Sequence, residues 1–244
     1  MISKHKNKKN QYSFLRTNSQ APTDLTNVKT SNTFQVIEIR DLTDSAYVIR
    51  FERHSIDFIP GQHITLGLPG DRQIREYSIY SPSSKPWFEV LIKEVEEGLV
   101  SRKLHRVKPG DYLNFEGPFG FFTLNESDIP HRKFLFIATG TGIAPFHSIT
   151  GSYPQLDYKI LHGVRYTNEA YEKNFYPDSR YVLCTSRDPK GNFHGRVTDY
   201  LTYNEIESDT LVYLCGNCDM IYNVYDQLTS HGFNINQIKT EVYF

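Results

Sequence analysis

A chain of 244 residues has room for two compact domains or one large one, and its 39 % hydrophobic and 14 % aromatic content can fill a sizeable core. A net charge of -1 argues against a general nucleic-acid binder; with no apolar run near ~18 residues and no signal-peptide core, neither a membrane span nor a secretory leader is expected. The three cysteines, Cys184, Cys215 and Cys218, fit a reducing compartment, taken here as the cytoplasm, and exclude a four-cysteine iron–sulfur cluster within the chain.

Residues 1–33 are polar and carry Lys4, Lys6, Lys8, Lys9 and Arg16, with no acid before Asp24. Such a stretch reads as a solvated, disordered tail. A basic, acid-poor organellar targeting segment is the sharper alternative. From Phe34 short strands set in. In Thr33–Arg40, Phe34 and Val36 share one face and Ile37 and Ile39 the other, which predicts a strand buried on both sides. Ala46–Glu52 alternates, with Tyr47, Ile49 and Phe51 on one face. Turn signals follow at Pro60-Gly61, Pro69-Gly70, Pro82-Ser83, Lys108-Pro109-Gly110-Asp111 and Gly117-Pro118. This punctuation predicts an antiparallel barrel or sandwich to about residue 127, interrupted by one helix over Leu99–Val107.

Beyond residue 130 the rhythm lengthens. Apolar strands are predicted at Phe134–Ala138, Tyr158–Val164, Tyr181–Thr185, Leu211–Cys215 and Glu241–Phe244, with helices at Arg196–Ile206 and Asp219–His231. Strand–helix alternation means a parallel sheet with crossover helices. The fold class is therefore two-domain: an antiparallel β-barrel over 34–130, then an α/β doubly wound parallel sheet over 131–244, with ligands expected beyond the carboxyl ends of its strands.

Lys133–Ser148 joins strand to helix through a glycine loop. The apolar run Phe134–Ala138 is broken by Gly140 and Gly142, and helical material begins near Pro145, whose fixed φ suits a first turn. Strand, glycine loop and helix together bring bare backbone N–H groups to a phosphate. Pro145 stands where the third glycine of G-x-G-x-x-G would be, so spacing alone leaves an ordinary βα turn equally open. Cys215 and Cys218 form a C-x-x-C, the pattern of a redox-active pair or half a metal site; with no second pair and no paired histidines to complete it, no metal site is expected.

The ordered set Arg75-Glu76-Tyr77-Ser78, Gly98-Leu99-Val100-Ser101, Gly140-Thr141-Gly142-Ile143-Ala144-Pro145 and Cys215-Gly216-Asn217 resembles the R-x-Y-S, G-x-x-S, G-T-G-I-A-P and C-G-N motifs of the ferredoxin–NADP reductase superfamily. The ending Glu241-Val242-Tyr243-Phe244 is similar to the aromatic termini of the ferredoxin (flavodoxin)–NADP reductases. The resemblance covers about Phe34 to Phe244. It implies an FAD-binding barrel, an NADP-binding α/β domain, hydride exchange between NADPH and FAD, and single electrons passed to a ferredoxin or flavodoxin. Oligomeric state is left open by the sequence, with a monomer preferred.

The resemblance also implies roles. For FAD, Arg75 has the planar fork suited to a pyrophosphate, Tyr77 an aromatic face, and Ser78 a hydroxyl near the flavin N5; Glu76 lies between them. Leu91, Ile92 and Lys93 match the strand whose backbone contacts the cofactor. Leu99, Val100 and Ser101 put N–H groups and a hydroxyl at a helix start, and Thr141 touches FAD from the second domain. Tyr243 covers the flavin face that nicotinamide must reach, and Phe244 contacts the adenine half. Cys215 and Glu241 surround the hydride-transfer site with Ser78 and Tyr243. For NADP, Gly140 and Gly142 allow close approach of the pyrophosphate, while Val164, Gly216 and Asn217 lie at strand ends. Arg165, Ser186, Arg187 and Arg196 are the donors for a ribose 2′-phosphate. Asp188 is an acid able to neutralise Arg187. Each residue also has a structural reading: solvated charges for the arginines and Glu76, a core aromatic for Tyr77, a simple cap for Ser101, a buried final strand for Tyr243 and Phe244.

Other functional readings use the same two domains. One is an NADH-dependent reductase component of an oxygenase system. Another is an electron-transfer subunit of a larger complex, and a third a non-catalytic NADP-binding module.

Overall fold

The computed structural model describes residues 32–243. The N-terminal segment read as a tail or targeting peptide lies outside them up to residue 31, as does Phe244. Among the described residues, no helix is long and apolar enough to cross a membrane, and no group of three or more metal-ligating side chains could hold a metal ion.

Two six-stranded sheets organise the chain. The first is antiparallel, with β1 (Thr33–Thr43), β2 (Ala46–Glu52), β3 (His63–Gly67), β4 (Ile74–Ser78), β5 (Trp87–Lys93) and β6 (Tyr112–Phe119) in the order β4-β3-β6-β1-β2-β5. A bridge between Ile79 and Val90 links the two edges, so the sheet closes into a barrel and its edge strands are covered. Tyr47, Ile49 and Phe51 point into its core with Phe34, Val36, Phe88 and Phe115. Helix α1 spans Leu99–Leu104, shorter than the predicted Leu99–Val107.

The first strand corrects the expectation of a doubly buried ribbon. Ile37 is 46 % exposed. A register shift between Val36 and Glu38 leaves Ile37 unpaired, so Val36 opposes Phe51 and Ile39 opposes Ile49. One extra residue reverses the inside–outside phase. Phe34, Val36 and Ile39 thus all serve the barrel core.

The second sheet is parallel. It comprises β7 (Phe134–Thr139), β8 (Tyr158–Val164), β9 (Tyr181–Thr185), β10 (Phe193–His194), β11 (Leu211–Asn217) and β12 (Ile238–Tyr243), in the order β10-β9-β8-β7-β11-β12. The chain winds outward from β7 in one direction and from β11 in the other, so the two diverge at a topological switch point. Alternate residues face opposite layers. Leu135, Ile137, Val212 and Leu214 meet helices α3 (Val197–Tyr203) and α4 (Cys218–Ser230). Phe134, Phe136, Ala138 and Tyr213 meet α2 (Ala144–Ser152) and the barrel's outer residues Ala46, Val48 and Leu91. The predicted α3 was longer at both ends; Arg196 and Asn204 have extended backbones and flank it. The last strand begins at Ile238, three residues before the predicted Glu241.

A polar layer accompanies this shared core. Glu172 accepts from Arg40 Nη2 at 2.9 Å and from Tyr80 Oη at 2.7 Å. His147 donates through Nδ1 to the Tyr80 carbonyl at 2.9 Å. Burial pushes the His147 pKa down to about 4, so the ring is neutral. Glu172 occupies the left-handed region at φ 47, a conformation a non-glycine residue keeps when its surroundings impose it.

Candidate active site

The β7–β11 divergence carries two loops that fit against each other. Gly140–Ile143 forms a 3-10 turn ahead of α2, with Gly140 at φ 54. A Cβ on Gly142 would lie 2.3 Å from the Cys215 carbonyl oxygen, and one on Gly216 2.4 Å from Thr139 Oγ1. Both glycines are therefore required by loop-against-loop packing, a reason the phosphate-loop motif does not state. A Cβ on Gly140 would meet nothing within 4 Å, so this face of the loop is open. Asn217 donates its backbone N–H to Thr139 Oγ1 at 2.9 Å, and its side chain caps α4 by accepting from the amides of Asp219 and Met220.

Across from these loops the barrel brings in Ser78. Tyr243 Oη donates to Ser78 Oγ at 2.6 Å, and Ser78 Oγ donates to Glu241 Oε2 at 3.1 Å. Cys215 lies beside Glu241 in the β11–β12 register, its Sγ 4.0 Å from Oε2. The four residues grouped by resemblance at the hydride-transfer site are thus one cluster fed by both sheets. Burial, with Glu76 adding to it and Ser78 opposing, pushes the Glu241 carboxyl up to about 7. Burial and the neighbouring Glu241 push the Cys215 thiol well up, and burial does the same to the Tyr243 phenol. Both stay protonated near neutrality, which suits Cys215 to shaping a pocket and not to nucleophilic attack.

His63 belongs to this cluster and sequence reasoning missed it. Its Nδ1 lies 3.8 Å from Glu241 Oε1. The signal was present: the Pro69-Gly70 turn falls midway between His63 and Ser78, and the β3–β4 hairpin pairs the two.

On β4, Arg75 and Glu76 are exposed, and Arg75 donates to the Ile74 carbonyl at 2.8 Å with no acidic partner among the described residues. Tyr77 packs its ring on the barrel core, and burial pushes its phenol up to about 12. On β5, Leu91 faces the second sheet and Ile92 the barrel core, while Lys93 pairs with Glu169 at 3.2 Å. At α1, Leu99 is exposed and Val100 buried; Ser101 is buried too, its Oγ accepting from the Val95 amide at 3.2 Å. The Ser101 hydroxyl thus ties down the loop ahead of α1 and does not act as the simple cap of the structural reading, since Gly98 is the N-cap and no side chain caps the helix. Thr141 is half-buried in the glycine loop.

A second group gathers at the outer strand ends. The Arg187 amide donates to the Arg165 carbonyl at 2.9 Å, and the Ser186 amide to the Val164 carbonyl at 3.1 Å. The Gly195 amide donates to the Thr185 carbonyl at 2.9 Å, which sets Arg196 beside Ser186. Arg165, Ser186, Arg187 and Arg196 are all exposed, and none of the three guanidinium groups has an ion-pair partner among the described residues. Asp188 does not neutralise Arg187. It accepts from the Thr167 hydroxyl and amide and from the Lys190 amide, and the Thr167 hydrogen bond leads in holding its carboxyl below the usual range.

Known proteins share this construction. Residues 33–124 match the oxidoreductase FAD-binding domain, and residues 136–226 the oxidoreductase NAD-binding domain. The flavodoxin/ferredoxin–NADP reductase of Escherichia coli is 30 % identical over 215 residues, which cover 78 % of this chain and 86 % of that protein. The toluate 1,2-dioxygenase electron transfer component of Pseudomonas putida is 28 % identical over 217 residues, covering 81 % of this chain but 63 % of that longer protein. In three dimensions, a ferredoxin NADP+ reductase from Neisseria gonorrhoeae, crystallised with FAD and NADP, superposes with a TM-score of 0.78 at 22 % identity, covering 87 % of this chain and 98 % of that one. The two domain matches define an oxidoreductase that uses FAD and a nicotinamide dinucleotide. Within that class, the chain belongs to the ferredoxin–NADP reductase family.

Proposed function

We propose that this chain exchanges hydride between NADP(H) and FAD and passes single electrons to a ferredoxin or flavodoxin, as a monomer, with residues 34–130 serving FAD and 131–244 serving NADP(H). The observation that carries the reading is the hydrogen-bonded run Tyr243–Ser78–Glu241, which joins the two sheets beside the switch-point loops. Bound FAD supplies the conversion between two-electron hydride and single-electron chemistry.

The residues present fit that cofactor. Arg75 offers a pyrophosphate an exposed guanidinium that has no acidic partner among the described residues. The ring of Tyr77, the strand backbone of Leu91–Lys93, the helix start at Leu99–Ser101, and Thr141 would complete its holding groups. Tyr243 would shield the flavin face and give way to nicotinamide; Phe244 would add a contact to adenine. Glu241 holds a proton below about pH 7 and is charged above it. Its charged form stabilises the positive charge that develops on a nicotinamide ring as hydride leaves. Ser78 fixes the carboxylate by donating to Oε2. Cys215 remains a thiol and shapes the pocket.

The preference for NADP(H) rests on Arg165, Arg187 and Arg196, three exposed cations without acidic partners among the described residues, with Ser186 between them. Gly140 opens the loop for the pyrophosphate. The likeness to the Pseudomonas putida component supports a second reading, an NADH-dependent reductase for an oxygenase. Steady-state cytochrome c reduction separates them. Under the main reading, NADPH drives it and added ferredoxin or flavodoxin accelerates it. A reaction faster with NADH would instead support the oxygenase component, which, with too few cysteines for a four-cysteine cluster of its own, would also need a separate ferredoxin.

A further inference from the structure

Beneath the glycine loop lies a histidine that the chemistry above does not use. His162, in the middle of β8, is fully buried. Its Nε2 is 2.8 Å from the Gly140 carbonyl oxygen, and its Nδ1 is 2.7 Å from Tyr181 Oη on the adjacent strand β9. A carbonyl oxygen only accepts, so Nε2 carries the proton and donates to Gly140. Nδ1 is then bare and accepts from the Tyr181 hydroxyl. Burial pushes the imidazole pKa down to about 4, so the ring keeps this neutral, single-donor form at any working pH.

The bond lands on the first residue of the 3-10 turn, where glycine lets the carbonyl be aimed inward. Gly140 sits at φ 54, and glycine meets no Cβ penalty on either side of zero. In a trans peptide the C=O and the following N–H point in opposite directions. Drawing the Gly140 carbonyl inward to His162 therefore turns the Thr141 N–H outward.

We propose that His162 is a positioning residue for the dinucleotide pyrophosphate: its Nε2–H fixes the Gly140–Thr141 peptide so that the Thr141 amide is presented to the phosphate. The proposal rests on reading Gly140-Thr141-Gly142 as the pyrophosphate loop. Tyr181 acts one step further back, by holding the His162 tautomer. Because the pyrophosphate is common to both coenzymes, the contribution is the same for NADP+ and NAD+, unlike that of the arginines at the rim.

The test compares His162→Gln and His162→Asn in the FAD-loaded full chain, titrated with NADP+ and with NAD+ and followed by the flavin difference spectrum. Gln can still place an N–H toward Gly140, whereas the shorter Asn reaches Tyr181 but not the loop. Asn is expected to weaken both coenzymes by the same factor, about fivefold or more, and Gln by no more than about twofold, as for the loss and retention of one hydrogen bond. In turnover the Asn loss should appear in KM and not in kcat. In the unsubstituted protein, NADP+ should slow hydrogen exchange at the Thr141 amide. Equal binding by Gln and Asn, or an unprotected Thr141 amide, overturns the proposal. Gly140→Val separates the two levels. If it abolishes binding while Asn and Gln stay alike, the loop reading stands and the role of His162 falls. If it leaves binding unchanged, the loop reading falls and takes the proposal with it.

Discussion

At the seam between the sheets, charge is paired and enclosed. Glu172 holds Arg40 and Tyr80, and buried Glu89 is met by Arg50 at 2.8 Å and by Arg40. Lys93 reaches Glu169, which also accepts from the amides of Arg165 and Tyr166. At the rim of the parallel sheet, by contrast, Arg165, Arg187 and Arg196 face solvent with no acid opposite among the described residues. The difference separates two uses of a charged side chain. A buried charge must be satisfied by the protein itself, and doing so ties two domains together. Exposed cations that the fold leaves unpaired are cheap to keep and available to an anionic ligand.

Breaking the rim should give the largest effect. Arg187→Ala with Arg196→Ala is expected to raise the KM for NADPH by about 100-fold, as for two lost charge-assisted hydrogen bonds, and that for NADH by less than about threefold. Steady-state kinetics with both coenzymes check this, and equal changes would dissolve the contrast. Breaking the seam should cost stability without touching coenzyme choice. Glu172→Ala strands Arg40 and the buried Tyr80 hydroxyl, and is expected to cost about 2 kcal/mol, or about 4–8 °C in Tm by calorimetry. Because its interactions hold the Glu172 carboxyl below 4.5, this contribution persists above that pH and is lost on further acidification. The variant's Tm should therefore converge on the wild-type value in acid.

A smaller effect sharpens the comparison from inside the seam. Glu241 carries a carboxyl raised by burial to about 7, so NADPH oxidation should rise with pH through that value as the charge appears. Glu241→Gln should flatten this profile and lower the rate at high pH by about tenfold, the scale of one misplaced charge. A stopped-flow pH series reads both. The least effect is expected from Cys218→Ser. Cys215 is buried and Cys218 exposed at the start of α4, and no disulfide joins them. Unchanged kinetics and reduction potential would retire the C-x-x-C as a redox pair.

The parallel sheet was legible because its strands are buried on both faces and read as continuous apolar runs: Tyr158–Val164 and Tyr181–Thr185 were found to the residue. The site motifs were legible for a related reason. Ser78, Cys215, Glu241 and Tyr243 each sit at or near a strand end, where local pattern and motif coincide. What stayed hidden depends on partners distant in sequence. The bulge at Ile37 reverses a strand's phase without changing its composition. Asp188 looked like a neighbour of Arg187, yet its hydrogen-bond partner Thr167 lies 21 residues away. Glu172 could not be read as a clasp, since its partners Arg40 and Tyr80 are on the barrel. His162 looked like one more residue in an apolar strand until Gly140 and Tyr181 were brought against it.

By the function proposed above, the rim selects the coenzyme whose hydride the seam receives. The most direct test of this selection is stopped-flow reduction of the FAD-loaded chain by NADPH and by NADH, in the unsubstituted protein and in the Arg187→Ala, Arg196→Ala pair. In the former, NADPH should bleach the flavin at far lower concentration than NADH; in the latter, the two concentration curves should superimpose. Bleaching at equal concentrations of both coenzymes in the unsubstituted protein would contradict it.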